Sequence, residues 1–348
     1  MFKKFKINKL FQKAKDSYNN NDFDLALKYL NELLEITYCE DAMLLKGRIF
    51  FEMDDLGNGN DCFIKVLNQN PTFKKYFNEI GYFSFLDDSS KREIALSLCD
   101  LYLEKFDSYE IKVWKCQLLF RLNLLDESLH CLNELLSEYK PDEDLFILKI
   151  QVLLNLKRYV EVIDLSEDYF KAYPNLVFIY NKAEALFALD NCQEAIDLCN
   201  FLLDSKDENY FNIAKFLVAK INYYNGMYED ALVEINNAIE FLDGVVATEE
   251  SSYYEGCFIQ YNYLKSLILY NLKEFDEANA ICDCLIEKGP ENAKNYCLKS
   301  MILFEEGKYG ESLGLIQKTL DLNPDCEEAI ELKEKLGTKM NNTWFEYY

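Results

Sequence analysis

Five prolines punctuate the 348 residues at one phase of a period of about 34. Pro141 and Pro174 are 33 apart, Pro290 and Pro324 are 34 apart, and Pro71 precedes Pro174 by 103, about three such steps. A repeat of this length points to stacked helical hairpins. One hairpin cannot bury its apolar face alone, so neighbouring hairpins must bury it for each other.

The clearest unit is 293–326. Apolar residues recur every three or four positions through Tyr296, Leu298, Met301 and Leu303, stop at Gly307, and resume through Tyr309, Leu313, Ile316 and Leu320 before Pro324. Two amphipathic helices joined at Gly307 explain this pattern. Proline has no amide hydrogen to continue the helical ladder, so Pro324 ends it.

With Ser300, Gly307, Tyr309, Ser312 and Pro324, this unit resembles a tetratricopeptide repeat (TPR). The same marks return as Ser266, Phe275, Ala278, Leu285 and Pro290 in 259–292, and as Ala219, Gly226, Tyr228, Ala231 and Ala238 in 212–243. Ala183, Cys192, Ala195 and Leu202 carry them in 176–209, and Tyr159, Val162 and Pro174 in 143–175. The first half is more worn. It keeps Cys116, Leu125, Ser128 and Leu135 in 109–142, Gly81, Ala95 and Leu98 in 74–108, Gly47 and Pro71 in 40–73, and Ala14, Phe23, Ala26 and Leu33 in 7–39. Gly57 and Gly59 stand where a second helix should begin. The resemblance implies an all-α chain: a right-handed α/α superhelical solenoid of about nine TPR-like hairpins over 1–337.

The alanines at one phase, Ala195, Ala231 and Ala278, are separated by 36 and then 47 residues. The excess falls near 244–256, read as an inter-repeat loop or an extended helical turn. Residues 325–337 supply a capping helix, with Ala329, Ile330, Leu332 and Leu336 covering the last hairpin. Asp325 is its expected N-cap and Gly337 its expected stop. An aromatic tail, 338–348, follows with Trp344, Phe345, Tyr347 and Tyr348. Docking of that tail on a second copy, giving a homodimer, is the rival to binding another protein.

The formal net charge is -24, from 61 acidic and 37 basic residues. Nucleic acid is therefore not the expected partner, because a phosphate backbone needs a basic stripe. Six lysines within the first fifteen residues permit a peripheral membrane contact, but an opening helix that balances an acidic body is the favoured reading. Twelve cysteines scattered without a CxxC pair read as small buried apolar residues in a reducing cytoplasm. No secretory signal or spanning segment is visible, so a soluble cytoplasmic protein is expected.

His130 is the sole histidine and has no partner at metal-ligand spacing. No phosphate-binding or nucleophile-elbow motif is present. No catalytic residue, metal or cofactor is assigned, and the chain reads as a scaffold or adaptor rather than an enzyme.

The TPR resemblance also implies where a partner sits. The inner wall is lined by the second, fifth, ninth and twelfth positions of each first helix. From 176 onward these are Val177, Tyr180, Glu184 and Phe187, then Ile213, Phe216, Lys220 and Tyr223. Gln260, Tyr263, Leu267 and Tyr270 follow, then Lys294, Cys297, Met301 and Phe304. Seven of these sixteen are aromatic: Tyr180, Phe187, Phe216, Tyr223, Tyr263, Tyr270 and Phe304. Rigid rings give large contact area at low entropic cost, which suits a basic or apolar peptide or helix. A carboxylate clamp is not expected, because Lys15, Arg48, Asn181 and Lys220 do not assemble in the order that TPR subclass requires.

Overall fold

Among the described residues, eight turns that join consecutive helices are of the same kind. In the computed structural model one residue between the helices takes a left-handed conformation: Asn21, Asp54, Asn123, Lys157, Asp190, Gly226, Lys273 or Gly307. The next amide then reaches back five residues, as in Leu124 N–H to the Leu119 carbonyl and Lys308 N–H to the Leu303 carbonyl, both at 2.9 Å. This closure satisfies carbonyls that the helix end would otherwise leave bare. Only two of these eight turns use glycine. Asn and Asp tolerate the left-handed region better than most residues; Lys157 and Lys273 enter it at a steric cost.

The structure describes residues 2–70, 78–79, 81, 89–139, 143–246 and 252–346. For residues 2, 209, 244–246, 252–254 and 340–346 only the backbone is described. Among the described residues there are eighteen helices and no strand. The chain divides into two compact units, one up to Arg158 and one from Tyr159 onward.

The first unit holds α1 (Phe2–Asn19), α2 (Phe23–Ile36), α3 (Glu40–Glu52), α4 (Leu56–Gln69), α5 (Ser89–Leu103), α6 (Tyr109–Arg121), α7 (Leu125–Glu138) and α8 (Glu143–Asn155). Gly57 and Gly59 lie inside α4, which begins normally because Asp55 accepts a hydrogen bond from the Asn58 amide at 3.1 Å. In the repeat at 74–108, Ala95 and Leu98 are sealed in the core, while most of 71–88, Pro71 included, lies outside the described residues. The opening helix packs through Leu10 and Ala14 against Ala26, Leu30 and Leu33. Its lysines are used locally: Lys6 pairs with Glu32 at 2.9 Å, and Lys13 and Lys15 lie over the rings of Tyr29 and Phe11.

The second unit holds α9 (Tyr159–Ala172), α10 (Leu176–Ala188), α11 (Cys192–Asp204), α12 (Glu208–Tyr224), α13 (Tyr228–Val246), α14 (Ser252–Leu272), α15 (Phe275–Lys288), α16 (Ala293–Glu305), α17 (Tyr309–Leu322) and α18 (Glu327–Glu346). The extra residues near 244–256 lengthen helices: α13 has 19 residues and α14 has 21, against 13 in α10 and α16. Residues 247–251 lie outside the described part, so that stretch of the expected insertion is not placed.

Small residues sit where the helices of a pair cross. Ala183 and Ala195, Ala219 and Ala231, and Ser266 and Ala278 are all fully buried. At three crossings a serine hydroxyl is satisfied by the facing helix, whereas Ser300 donates to the Cys297 carbonyl of its own helix at 2.6 Å. Ser312 donates to the Ser300 carbonyl at 2.8 Å, Ser266 to the Ala278 carbonyl at 3.1 Å, and Ser128 to the Cys116 carbonyl at 3.0 Å.

The capping helix departs from expectation at both ends. It starts at Glu327, so Cys326 rather than Asp325 precedes it; the Asp325 amide instead donates to Asn323 Oδ1 at 3.3 Å. It runs through Gly337 to Glu346. Gly337 is not among the left-handed glycines, and a glycine in ordinary helical geometry weakens a helix without ending it. Ala329, Leu332 and Leu336 are buried against the last hairpin, whereas Ile330 is exposed. The side chains of Trp344 and Phe345, and all of Tyr347 and Tyr348, lie outside the described residues.

Candidate binding face

The first helices of consecutive hairpins in the second unit, α10, α12, α14 and α16, lie side by side. Tyr180 and Phe187 pack by one edge on the core around Ala183 and Leu217. Phe216 and Tyr223 do so on the core around Ala231 and Tyr261, and Tyr263 and Tyr270 on the core around Leu269 and Ile302. All six are half-buried, each packed on a core cluster.

These rings connect across helices. The Lys220 ammonium of α12 lies 5.7 Å from the Phe187 ring of α10 and 5.6 Å from the Phe216 ring. Phe216 stacks on Tyr261 of α14 with centroids 4.3 Å apart. Asn271 donates to the Tyr223 hydroxyl at 3.4 Å, and the Tyr223 phenol is within electrostatic reach of Tyr263 and Tyr270. The roles of Tyr261, buried beneath Phe216, and of Asn271 were not legible in the sequence. Both residues fall one step away from the inner positions, and only the packing of α12 against α14 brings them to these rings.

The phenols are neutral donors. Burial raises the Tyr263 hydroxyl to about 12, with Cys297 and Glu328 adding to the shift. Burial also holds the Tyr180 hydroxyl well above its ordinary value, reinforced by Glu184, to which it donates at 3.0 Å. The face thus offers aromatic surface, O–H donors and a few charges, including Glu184, Lys220 and Lys294.

Phe304 is placed differently from the other six. It is buried, 5.6 Å from Tyr309, and the Lys339 ammonium of α18 covers its ring at 4.9 Å. The capping helix therefore closes the face at this end, and Cys297 is buried with Phe304.

The basic and polar residues weighed for a carboxylate clamp are each held within their own surroundings. Arg48 is held by Glu79 in a two-pronged ion pair, with its terminal nitrogen 2.6 Å from Oε1. Lys15 lies over Phe11, Asn181 is buried, and Lys220 is sandwiched by rings. His130 is 76% exposed with Nε2 3.3 Å from Glu134 one turn away. Among the described residues no group of three His, Cys, Asp or Glu side chains could hold a metal ion. No helix among them is long and apolar enough to cross a membrane.

Solved structures share this architecture. A tetratricopeptide repeat protein from Parabacteroides merdae aligns over 85% of this chain and 98% of its own at 12% identity, with a TM-score of 0.51. The chain has the tetratricopeptide-repeat fold. The TPR protein YrrB, which has an unusual peptide-binding site, aligns over 58% of this chain and 97% of its own, at 15% identity and a TM-score of 0.41. The TPR domain of P58(IPK) covers 97% and 99% at 13% identity and a TM-score of 0.32. No protein-family model and no curated protein matches the sequence. In TPR terms, the aromatic residues opening most second helices, such as Tyr228, Phe275 and Tyr309, brace the last inner ring of the helix before: Tyr223, Tyr270 and Phe304.

Proposed function

We propose that the chain is a non-catalytic scaffold or adaptor, and that the aromatic face of α10, α12 and α14 holds a segment of another protein. The observation that carries this reading is the connected row of six half-buried rings, Tyr180, Phe187, Phe216, Tyr223, Tyr263 and Tyr270. Half-buried rings already packed on a core cluster lose little entropy when a partner covers them. The acidic chain, with Glu184 on this face, favours a segment that combines Lys or Arg with apolar side chains.

The test is selection from a random peptide library, followed by fluorescence polarisation on the triple variant Tyr180→Ala, Phe216→Ala, Tyr263→Ala. Selected peptides should be basic and apolar, and the variant should bind them at least about 30-fold more weakly, the loss of one hot spot of about 2 kcal/mol. A variant that keeps the wild-type circular dichroism and the wild-type affinity removes the face from the proposal. Parallel mass measurements with and without 341–348 check the rival reading of self-association.

A further inference from the structure

Hairpin α6/α7, in the first unit, carries a pair of thiols that peptide binding does not use. Cys116 takes the small crossing position of α6 and is fully buried. Cys131, on α7, is half-buried. Their sulfurs are 2.7 Å apart, with Cys116 Sγ donating to Cys131 Sγ. A disulfide bond is about 2.0 Å long, so closure needs a movement of only about 0.7 Å.

The two thiols are not equivalent. Cys131 borders a cavity of about 530 Å³ lined also by Leu96, Lys115, Leu119 and His130. The hydrogen bond from Cys116 lowers the Cys131 thiol below its ordinary value, and the Lys115 ammonium assists, while burial, Glu134 and Asp100 oppose the shift. Lys115 is itself held 2.7 Å from Asp100. Cys116 is pushed the other way, by its bond to Cys131 and by burial. One sulfur is therefore reachable and inclined to the thiolate, and the other is a protected thiol in contact with it.

We propose that Cys131 and Cys116 form a reversible peroxide-responsive dithiol, with Cys131 the attacking sulfur and Cys116 the resolving one. The Cys131 thiolate attacks one oxygen of hydrogen peroxide. An S–O bond forms, the O–O bond breaks, and hydroxide leaves; the sulfur loses two electrons to the peroxide and becomes a sulfenic acid. Cys116 sulfur then attacks Cys131 sulfur. The S–S bond forms, the S–O bond breaks, and the departing hydroxide takes the Cys116 proton as water. Two molecules of a small thiol such as glutathione reverse the closure and leave as their own disulfide. The bond would tie α6 to α7 without altering the repeat around it.

A second near pair serves as an internal control. Cys297 and Cys326 have sulfurs 3.9 Å apart, both are buried, and burial raises Cys297 to about 12. The experiment is peroxide titration of the reduced full chain, alkylation with N-ethylmaleimide, and peptide mapping. A cross-link should join the tryptic peptide beginning at Cys116 to the one beginning at Leu122. It should form at least about tenfold faster than any Cys297–Cys326 link, because Cys131 is only half-buried and its sulfur already touches its partner, whereas both sulfurs of the other pair are buried and farther apart. Glutathione should erase it. In Cys116→Ser, a dimedone-reactive sulfenic acid should persist at Cys131. Full alkylation of Cys131 after peroxide, or equal or faster closure of Cys297–Cys326, overturns the proposal. The wild-type map decides the matter even if the variant does not fold.

Discussion

In α3/α4 the two helices cross through Gly47 and Gly59; in α10/α11 they cross through Ala183 and Ala195. The glycine crossing is not empty. A Cβ on Gly47 would lie 2.7 Å from the Phe63 ring, and one on Gly59 would collide with the Phe51 ring. Those rings are fully buried and stack on each other with centroids 5.4 Å apart. Each ring takes the space that the other helix's missing side chain leaves. The alanine crossing keeps its Cβ atoms, and the Ser300/Ser312 crossing adds a hydrogen bond. The helix spacing is the shared requirement; the side chains that meet it are interchangeable only as sets, because interiors are close-packed.

Five substitutions would break or sharpen that comparison. The largest effect is expected at the glycine crossing. Gly59→Val should destabilise the α3/α4 hairpin by about 3 kcal/mol, the top of the usual overpacking range, read as a drop in the denaturation midpoint. Adding Phe51→Leu to the same chain should recover part of that loss, and no recovery would mean the ring is not what fills the space. At the alanine crossing, Ala195→Leu should cost about 2 kcal/mol, with loss of hydrogen-exchange protection centred on α10 and α11; unchanged protection there would refute the alignment.

At the serine crossing, Ser312→Ala should cost only about 1 kcal/mol, the net worth of one neutral hydrogen bond, measured by denaturant titration. The smallest effect concerns the turns that close the pairs. Lys157→Gly should stabilise by about 0.5 to 1 kcal/mol, because glycine removes the left-handed penalty that a Cβ incurs. A lower melting temperature for that variant would show that the lysine side chain contributes more than its backbone strain costs.

The turns also show why part of the fold was hard to foresee. Gly226 and Gly307 announce their turns, but Asn21, Asp54, Asn123, Lys157, Asp190 and Lys273 adopt the same backbone without glycine. The hydrogen-bonded closure between two packed helices imposes the conformation, and residue preference only lowers its cost. Likewise Gly337 looked like a stop, yet α18 continues past it, since no left-handed turn forms there to end the helix.

Periodicity determined the helix pairs, and the TPR resemblance added the small residues at their crossings and the inner positions expected of each first helix. The helix pairs are a property of chain-local spacing, and a 34-residue period records them directly. Which of the seven inner aromatics remains half-buried depended on the neighbours: Phe304 is covered by Lys339 from the capping helix, while Tyr223 and Tyr263 are drawn into one group by the packing of α12 on α14. The meeting of Cys116 with Cys131, fifteen positions apart on facing helices, was equally invisible in the spacing. Burial and side-chain proximity depend on what a different helix places opposite, and only the tertiary structure decides that.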